Sequence, residues 1–273
     1  VMRYAMNGQE VKFVRPAHLL VAMHGSQVLQ IEALGLKSGR VSLGHRFHCP
    51  EPLVIESAES WQTQLQSQGH VVASFAERQA LIADALQKAS GQDQVVMPQA
   101  LLDEVTSLVE WPVVLEGRFE DAFLEVPQEC LILTMQQNQK YFAVTHHDGR
   151  LRNRFLLVAN LVSQDPQKVI EGNERVIRAR LSDAKFFFDQ DRLRPLADRL
   201  TALQSVIYHN KIGSQAERVA RLEKLAGQFA QAVGVNASDA ERAARLAKAD
   251  LATDMVGEFP ELQGVMGQYY ALH

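Results

Sequence analysis

The sequence predicts an α+β fold, with a mixed first half built on short strands followed by an all-helical second half. Three observations carry this expectation. Up to about residue 160, apolar residues come in short β-rich runs broken by glycine, proline and asparagine or aspartate turns. After Asp165-Pro166 they recur every three to four residues, the period of a helix packed on one side. The third is length: 273 residues exceed the usual size of one compact domain, so two are expected, 1–170 and 171–273, with the change of character between about 165 and 200.

The elements run in order along the chain. Val11–Val14 reads as a strand stopped by Arg15-Pro16, Gln27–Ala33 alternates, and Gly35, Gly39 and Gly44 punctuate the next stretch, so roughly the first 70 residues are expected to be sheet. Ser74-Phe75-Ala76-Glu77 has the spacing at which a serine and a glutamate satisfy the free N–H groups of a helix start. Leu81, Ile82, Ala85 and Leu86 give that helix an apolar face to about Lys88. Pro98 suits a first helical turn before Leu101, Leu102, Val105, Leu108 and Val109, and Trp111-Pro112 closes the helix ahead of a strand at Val113–Leu115. Tyr141–Thr145 and Phe155–Ala159 flank Asp148-Gly149, a dipeptide that accepts the positive backbone angles of a tight turn, and are expected to form a hairpin. In the second half Ile177, Leu181, Ala184 and Phe188 share one helical face, as do Val219, Leu222, Ala226, Phe229 and Val233. Arg194-Pro195 and Gly234–Ser238 separate the helices.

Composition excludes several classes. With 47% hydrophobic and 22% charged residues the chain has material for a core and lacks the profile of disorder. No apolar run approaches the roughly 20 residues of a spanning helix, and no signal peptide is visible. Two cysteines, Cys49 and Cys130, form neither a CxxC nor a zinc spacing, which fits a reducing cytoplasm. The net charge of −4 conceals an asymmetry: residues 1–150 hold 11 basic against 17 acidic side chains, and residues 151–273 hold 17 against 15. Basic character gathers in the helical half. Neither GxxxxGK[ST] nor a strand-flanked GxGxxG occurs, and GxSxG and HExxH are absent, so nucleotide chemistry and hydrolysis have no visible home.

Three constellations remain. Gly35–His48, GLKSGRVSLGHRFH, sets Lys37, Arg40 and Arg46 among glycines that let backbone amides approach an anion, with His45 and His48 as stacking groups; the alternative is a solvated turn. Gly172–Phe188 places Arg175, Arg178, Ser182 and Lys185 on one helix side, a ridge that could lie along phosphates or, paired with Glu174, Asp183 and Asp189, form a salt-bridged surface. Asp250, Asp254 and Glu258 are spaced to stack on one helix face as ligands of a hard cation or as an acidic surface.

Longer strings carry a resemblance. Phe13-Val14-Arg15-Pro16, Leu36–Arg40 with Gly44–His48, Gly172–Val176 with Arg178–Leu181, and Lys248–Leu251 through Gly257–Phe259 and Glu261–Gly264 resemble, in order and spacing, the β subunit of the bacterial two-subunit glycyl-tRNA synthetase. The resemblance implies a longer intact subunit, an α subunit partner in an α2β2 assembly, tRNA(Gly) as a ligand, and glycine and ATP with magnesium used at the α subunit, with no cofactor or catalytic residue in this piece. It implies a first half like the B3/B4 domain of the phenylalanyl-tRNA synthetase β chain and a helical half like the HD phosphohydrolases, analogies of fold that do not fix function. A metal-binding HD site needs histidines, and the corresponding helices here carry Gly213-Ser214-Gln215 and Ala249-Asp250. Asp250 is therefore expected to mark a degenerate, silent site, while Lys37, Arg40, Arg46, His48, Arg175, Arg178 and Lys185 are expected to meet the acceptor region of tRNA. The rivals are hydrolytic editing of mischarged tRNA, a metal-dependent phosphohydrolase, and a scaffold that only joins subunits.

Overall fold

A computed structural model describes residues 17–273 in full and, before them, the backbone pairing of two strands at 2–6 and 9–13. The Val14-Arg15-Pro16 break expected from the sequence lies outside the described residues. The fold is mixed α+β and divides into two compact units, each made of separated stretches: 1–88, 98–114 and 158–164 in the first, and 89–97, 115–157 and 165–273 in the second. The grouping is not that of a single cut at 170/171, because strands and a helix from the middle of the chain belong with the later helices.

The first unit opens with short strands. β1 (Met2–Met6) pairs antiparallel with β2 (Gln9–Phe13). β3 (Leu20–Val21), β4 (Met23–His24), β5 (Gln27–Val28), β6 (Glu32–Ala33), β7 (Leu36–Gly39), β8 (Val41–Leu43) and β9 (Pro52–Val54) then form two- and three-stranded pieces. β7 runs parallel to β3 and antiparallel to β6, and β8 pairs with β9. A helix not expected from the sequence, α1 (Trp61–Ser67), comes next; its glutamine-rich segment buries only Gln64 and Leu65 and so shows no apolar period. α2 (Phe75–Ser90) begins where expected, the Ser74 hydroxyl accepting the Glu77 N–H at 3.3 Å, and seals Ile82 and Leu86 completely. α3 (Gln99–Leu108) starts after Pro98 and buries Leu101, Leu102 and Val105, while Leu108 faces solvent. The Arg78 guanidinium joins them, donating to the Thr106 carbonyl at 2.9 Å and to that of Val72.

β10 (Gln94–Val96), β11 (Val113–Arg118), β12 (Phe142–Thr145) and β13 (Leu151–Ala159) make a sheet in the order β10-β12-β13-β11. β12 and β13 are the expected hairpin, in register Phe142↔Leu156 and Ala143↔Phe155. Gly149 takes φ 84, and the Asp148 carboxylate accepts the Arg150 backbone N–H at 3.1 Å and its Nε at 2.7 Å, which lowers the carboxyl pKa to about 2. Gly117 has no room for a side chain, because a Cβ there would overlap the Phe155 ring. α4 (Gln128–Gln139) was not expected: its buried residues, Cys130, Leu131, Thr134 and Met135, crowd into six positions and give no sustained period.

α5 (Pro166–Asp191) starts at an Asp165 side chain that accepts the Lys168 N–H, and Ile177, Leu181, Ala184 and Phe188 are all buried as the periodicity predicts. After a 3-10 segment at Leu196–Gln204 and a small hairpin of β14 (Ile207–His209) and β15 (Gly213–Ser214) come α6 (Gln215–Val233) and α7 (Ala237–Leu246). Here the expected face is corrected. Val219 is buried, but Phe229 and Val233 are 67% and 72% exposed, and Gly227 and Ala230 take the inner positions. The reason is α7, whose Glu241 lies where a Cβ on Gly227 would be, so the helices approach at the glycine. α8 (Asp254–Glu258) and α9 (Val265–Leu272) end the chain.

Candidate nucleic-acid interface

In the first unit the glycine-rich stretch separates into exposed and engaged residues. Lys37 lies on β7 opposite Glu32, exposed, and makes no hydrogen bond or ion pair among the described residues. Arg46 is exposed with its guanidinium 5.3 Å from the centre of the Phe47 ring, itself 66% exposed. A cation over an open aromatic face suits an unpaired nucleotide, which offers a phosphate and a stacking surface together. Arg40 is half-buried and engaged within the fold, donating to the Ser26 carbonyl at 2.7 Å.

His48 belongs to a ring cluster. His45 is buried, its Nε2 donating to the Asn160 carbonyl at 2.5 Å while Nδ1 accepts the Phe47 and His48 N–H groups. His48 stacks 4.7 Å from His45 and 5.3 Å from His70, which meets Trp111 at 5.2 Å, and its Nε2 accepts the Val162 N–H at 3.0 Å. Loss of solvation, then electrostatic interaction with the neighbouring imidazoles, holds the His48 pKa below its ordinary value, and the Val162 N–H accepted by the ring locks the loop to residues 160–162.

The α5 ridge forms, with partners the sequence could not supply. Arg178 Nε pairs with Glu120, and Lys185 meets Glu125 at 2.9 Å and Asp189 at 3.2 Å. Of the acids expected beside the ridge only Asp189 pairs with it among the described residues; Glu174 instead accepts the Arg118 backbone N–H at 2.8 Å. The Glu120 carboxyl is held below its usual range, first by its own backbone hydrogen bond and then by Arg178, and hydrogen bonding to Glu125 raises the Lys185 pKa. Arg175 is exposed and unpartnered among the described residues.

The carboxylate trio is corrected outright. Asp250 lies in a 3-10 turn at Ala249–Ala252, Thr253 caps a new helix, and Asp254 and Glu258 begin and end α8, so the three never share a face. Asp250 is fully buried, and its Oδ2 accepts the Gly264 and Gly267 N–H groups at 2.5 and 3.1 Å, anchoring the start of α9. No three His, Cys, Asp or Glu side chains converge on a metal-sized site among the described residues, so the residues present do not fit the metal centre of an HD site. Ser214 caps α6 through a capping box with Glu217.

The buried acid that organises these helices is Asp191, which the sequence did not single out. Its side chain accepts the Asp254 and Met255 N–H groups and the Tyr270 hydroxyl, each at 2.9 Å, and pairs with Arg199 at 3.0 Å. Burial and the Asp191 charge raise the Tyr270 pKa.

A family model described as glycyl-tRNA synthetase beta subunit matches residues 1–273, the whole chain. The chain belongs to the glycyl-tRNA synthetase beta subunit family. It is 59% identical over 267 residues to the glycine-tRNA ligase beta subunit of Ralstonia nicotianae, covering 98% of this chain and 38% of that protein. The beta subunit of Neisseria meningitidis serogroup A is 60% identical over 264 residues, covering 95% and 38%. That of Janthinobacterium sp. is 55% identical, covering 100% and 40%. The chain thus spans about two fifths of the length of these beta subunits.

Proposed function

We propose that this chain serves glycyl-tRNA formation as part of a glycine-tRNA ligase beta subunit, holding the acceptor region of tRNA(Gly) for an alpha subunit that carries the catalytic centre in an α2β2 cytoplasmic enzyme. The match of the family along all 273 residues carries this reading. In it, glycine, ATP and magnesium act at the alpha subunit. Lys37 and the Arg46-Phe47 pair offer a phosphate and base contact on the first unit, and Arg175 leads the α5 ridge on the second. Residues 1–170 are read as B3/B4-like and residues 171–273 as an HD-like domain without chemistry; the silent reading of the latter is supported by Asp250 Oδ2 anchoring α9. One observation favours a scaffold role at the ridge: Arg178 and Lys185 are already neutralised by Glu120, Glu125 and Asp189.

The deciding experiment is glycine-dependent ATP–pyrophosphate exchange and aminoacylation by the separated and recombined subunits. Exchange by the alpha subunit, none by this chain, and aminoacylation only on recombination are expected. Exchange by this chain alone would overturn the reading.

A further inference from the structure

The second unit holds another cationic feature, whose arginines have no carboxylate partner among the described residues. Arg192 caps the end of α5, Arg194 stands just before Pro195, and Arg242 comes from α7; they line a pocket of about 270 Å³ floored by Leu196, Leu246 and Tyr270. Arg194 and Arg242 are exposed and make no ion pair or hydrogen bond among the described residues. Arg192 lies 5.2 Å over the Phe188 ring and reaches the His273 Nδ1 at 3.4 Å, with no carboxylate partner among the described residues. The one acidic side chain in the lining is Asp191, and its oxygens are taken by Arg199, Tyr270 and two backbone N–H groups.

Two other arginine-lined pockets of this unit differ. There Arg150 is held by Asp148, Arg152 by Asp93, and Arg154 by Asp93 and Glu116. Three arginines lining one cavity gather positive charge that an anion relieves, and the planar fork of guanidinium donors matches a phosphate. The floor offers apolar surface and spent polar groups, so nothing there reads the edge of a base. We infer that this pocket receives a backbone phosphate of an RNA chain without regard to sequence. The inference rests on the tRNA-binding role proposed above and assigns that role to residues outside the ridge.

The test uses the full-length subunit that contains this chain, assembled with its partner subunit, and titrates tRNA at several salt concentrations. An Arg194→Ala/Arg242→Ala double variant is expected to raise Kd about tenfold or more, since hydrogen bonds to charged groups are the strong ones. Its log–log salt slope should fall by about one unit or somewhat less, the share of one phosphate. Arg221 and Lys224 on α6, unpaired among the described residues, serve as a control, and their double alanine variant is expected to bind as wild type does. Equal Kd and slope for the Arg194/Arg242 variant and wild type would overturn the pocket and leave the tRNA-binding role standing. No tRNA binding by the wild-type assembly would overturn that role itself, and the pocket with it. Calorimetry with inorganic phosphate and with ATP completes the test. Saturable binding of either that the variant loses while its tRNA affinity stays unchanged would overturn the assignment to RNA.

Discussion

Replacing Asp191 by alanine removes a carboxylate that four groups share. The side chain is fully buried, and its partner Arg199 is 13% exposed. The substitution takes the counter-charge from a nearly buried guanidinium, which keeps only the Ala252 and Asp191 carbonyls, and strands two N–H groups at the start of α8 and the Tyr270 hydroxyl. Breaking one side of a buried ion pair typically costs about 3–5 kcal/mol, and a lost helix cap about 1 kcal/mol within that figure. A loss of about 4 kcal/mol is therefore expected, a large share of the roughly 5–15 kcal/mol that holds a domain together. In urea, with a slope of about 2 kcal/mol/M, the midpoint of the second unit should drop by about 2 M. Arg199→Met should be damaging alone, and the double variant less damaging than the sum, because it leaves no buried charge unpaired. An Asp191→Ala midpoint within about 0.5 M of wild type, equivalent to about 1 kcal/mol, would refute this reasoning.

Other substitutions test separate parts of the structure. Gly117→Ala drives a Cβ into the Phe155 ring and should cost about 1–3 kcal/mol, whereas Gly39→Ala, with open space around it, should change the melting point little. Acid should weaken the first unit. The folded pKa of His48 lies below its ordinary 6.5, so the stability it confers is complete above that value and is lost as pH falls through the lowered folded value. Melting of wild type and His48→Gln from about pH 7.5 downward should show the acid-side slope shrinking in the variant; an unchanged slope would remove His48 from the account. On α5, Arg175→Ala should lower the tRNA salt slope by about one unit, and Arg178→Ala by less because Glu120 already neutralises it. Both should leave stability within about 0.5 kcal/mol, measured by denaturation.

Periodic and punctuated features of this fold were legible in the sequence. The α5 face from Ile177 to Phe188, the Ser74 helix start and the Asp148-Gly149 turn are local, and each arises from residues within a few positions of one another. What failed was set by distant chain. The α6 face turned because α7 closes on Gly227, and the ridge was neutralised by Glu120 and Glu125, some 60 residues away. Asp250, Asp254 and Glu258 had helical spacing, but Thr253 starts a new helix between the first and second. At the candidate interface, sequence pattern found Lys37, Arg46 and Arg175 as open cations; it could not tell that Arg40 and His48 are spent within the fold. Arg192, Arg194 and Arg242 escaped notice because about 50 residues separate the last from the others and only the packing of α7 gathers them.

The most direct test is a tRNA(Gly) gel-shift titration of the subunit that contains this chain across salt concentrations, with and without the alpha subunit of the proposed assembly. Binding is expected with a log Kd that rises steeply and linearly with log salt, because phosphate contacts release counterions, and with a slope that shrinks when Arg175, Arg194 and Arg242 are replaced together. Tight association with the alpha subunit but no salt-dependent tRNA binding, or a slope untouched by the three substitutions, would contradict that expectation.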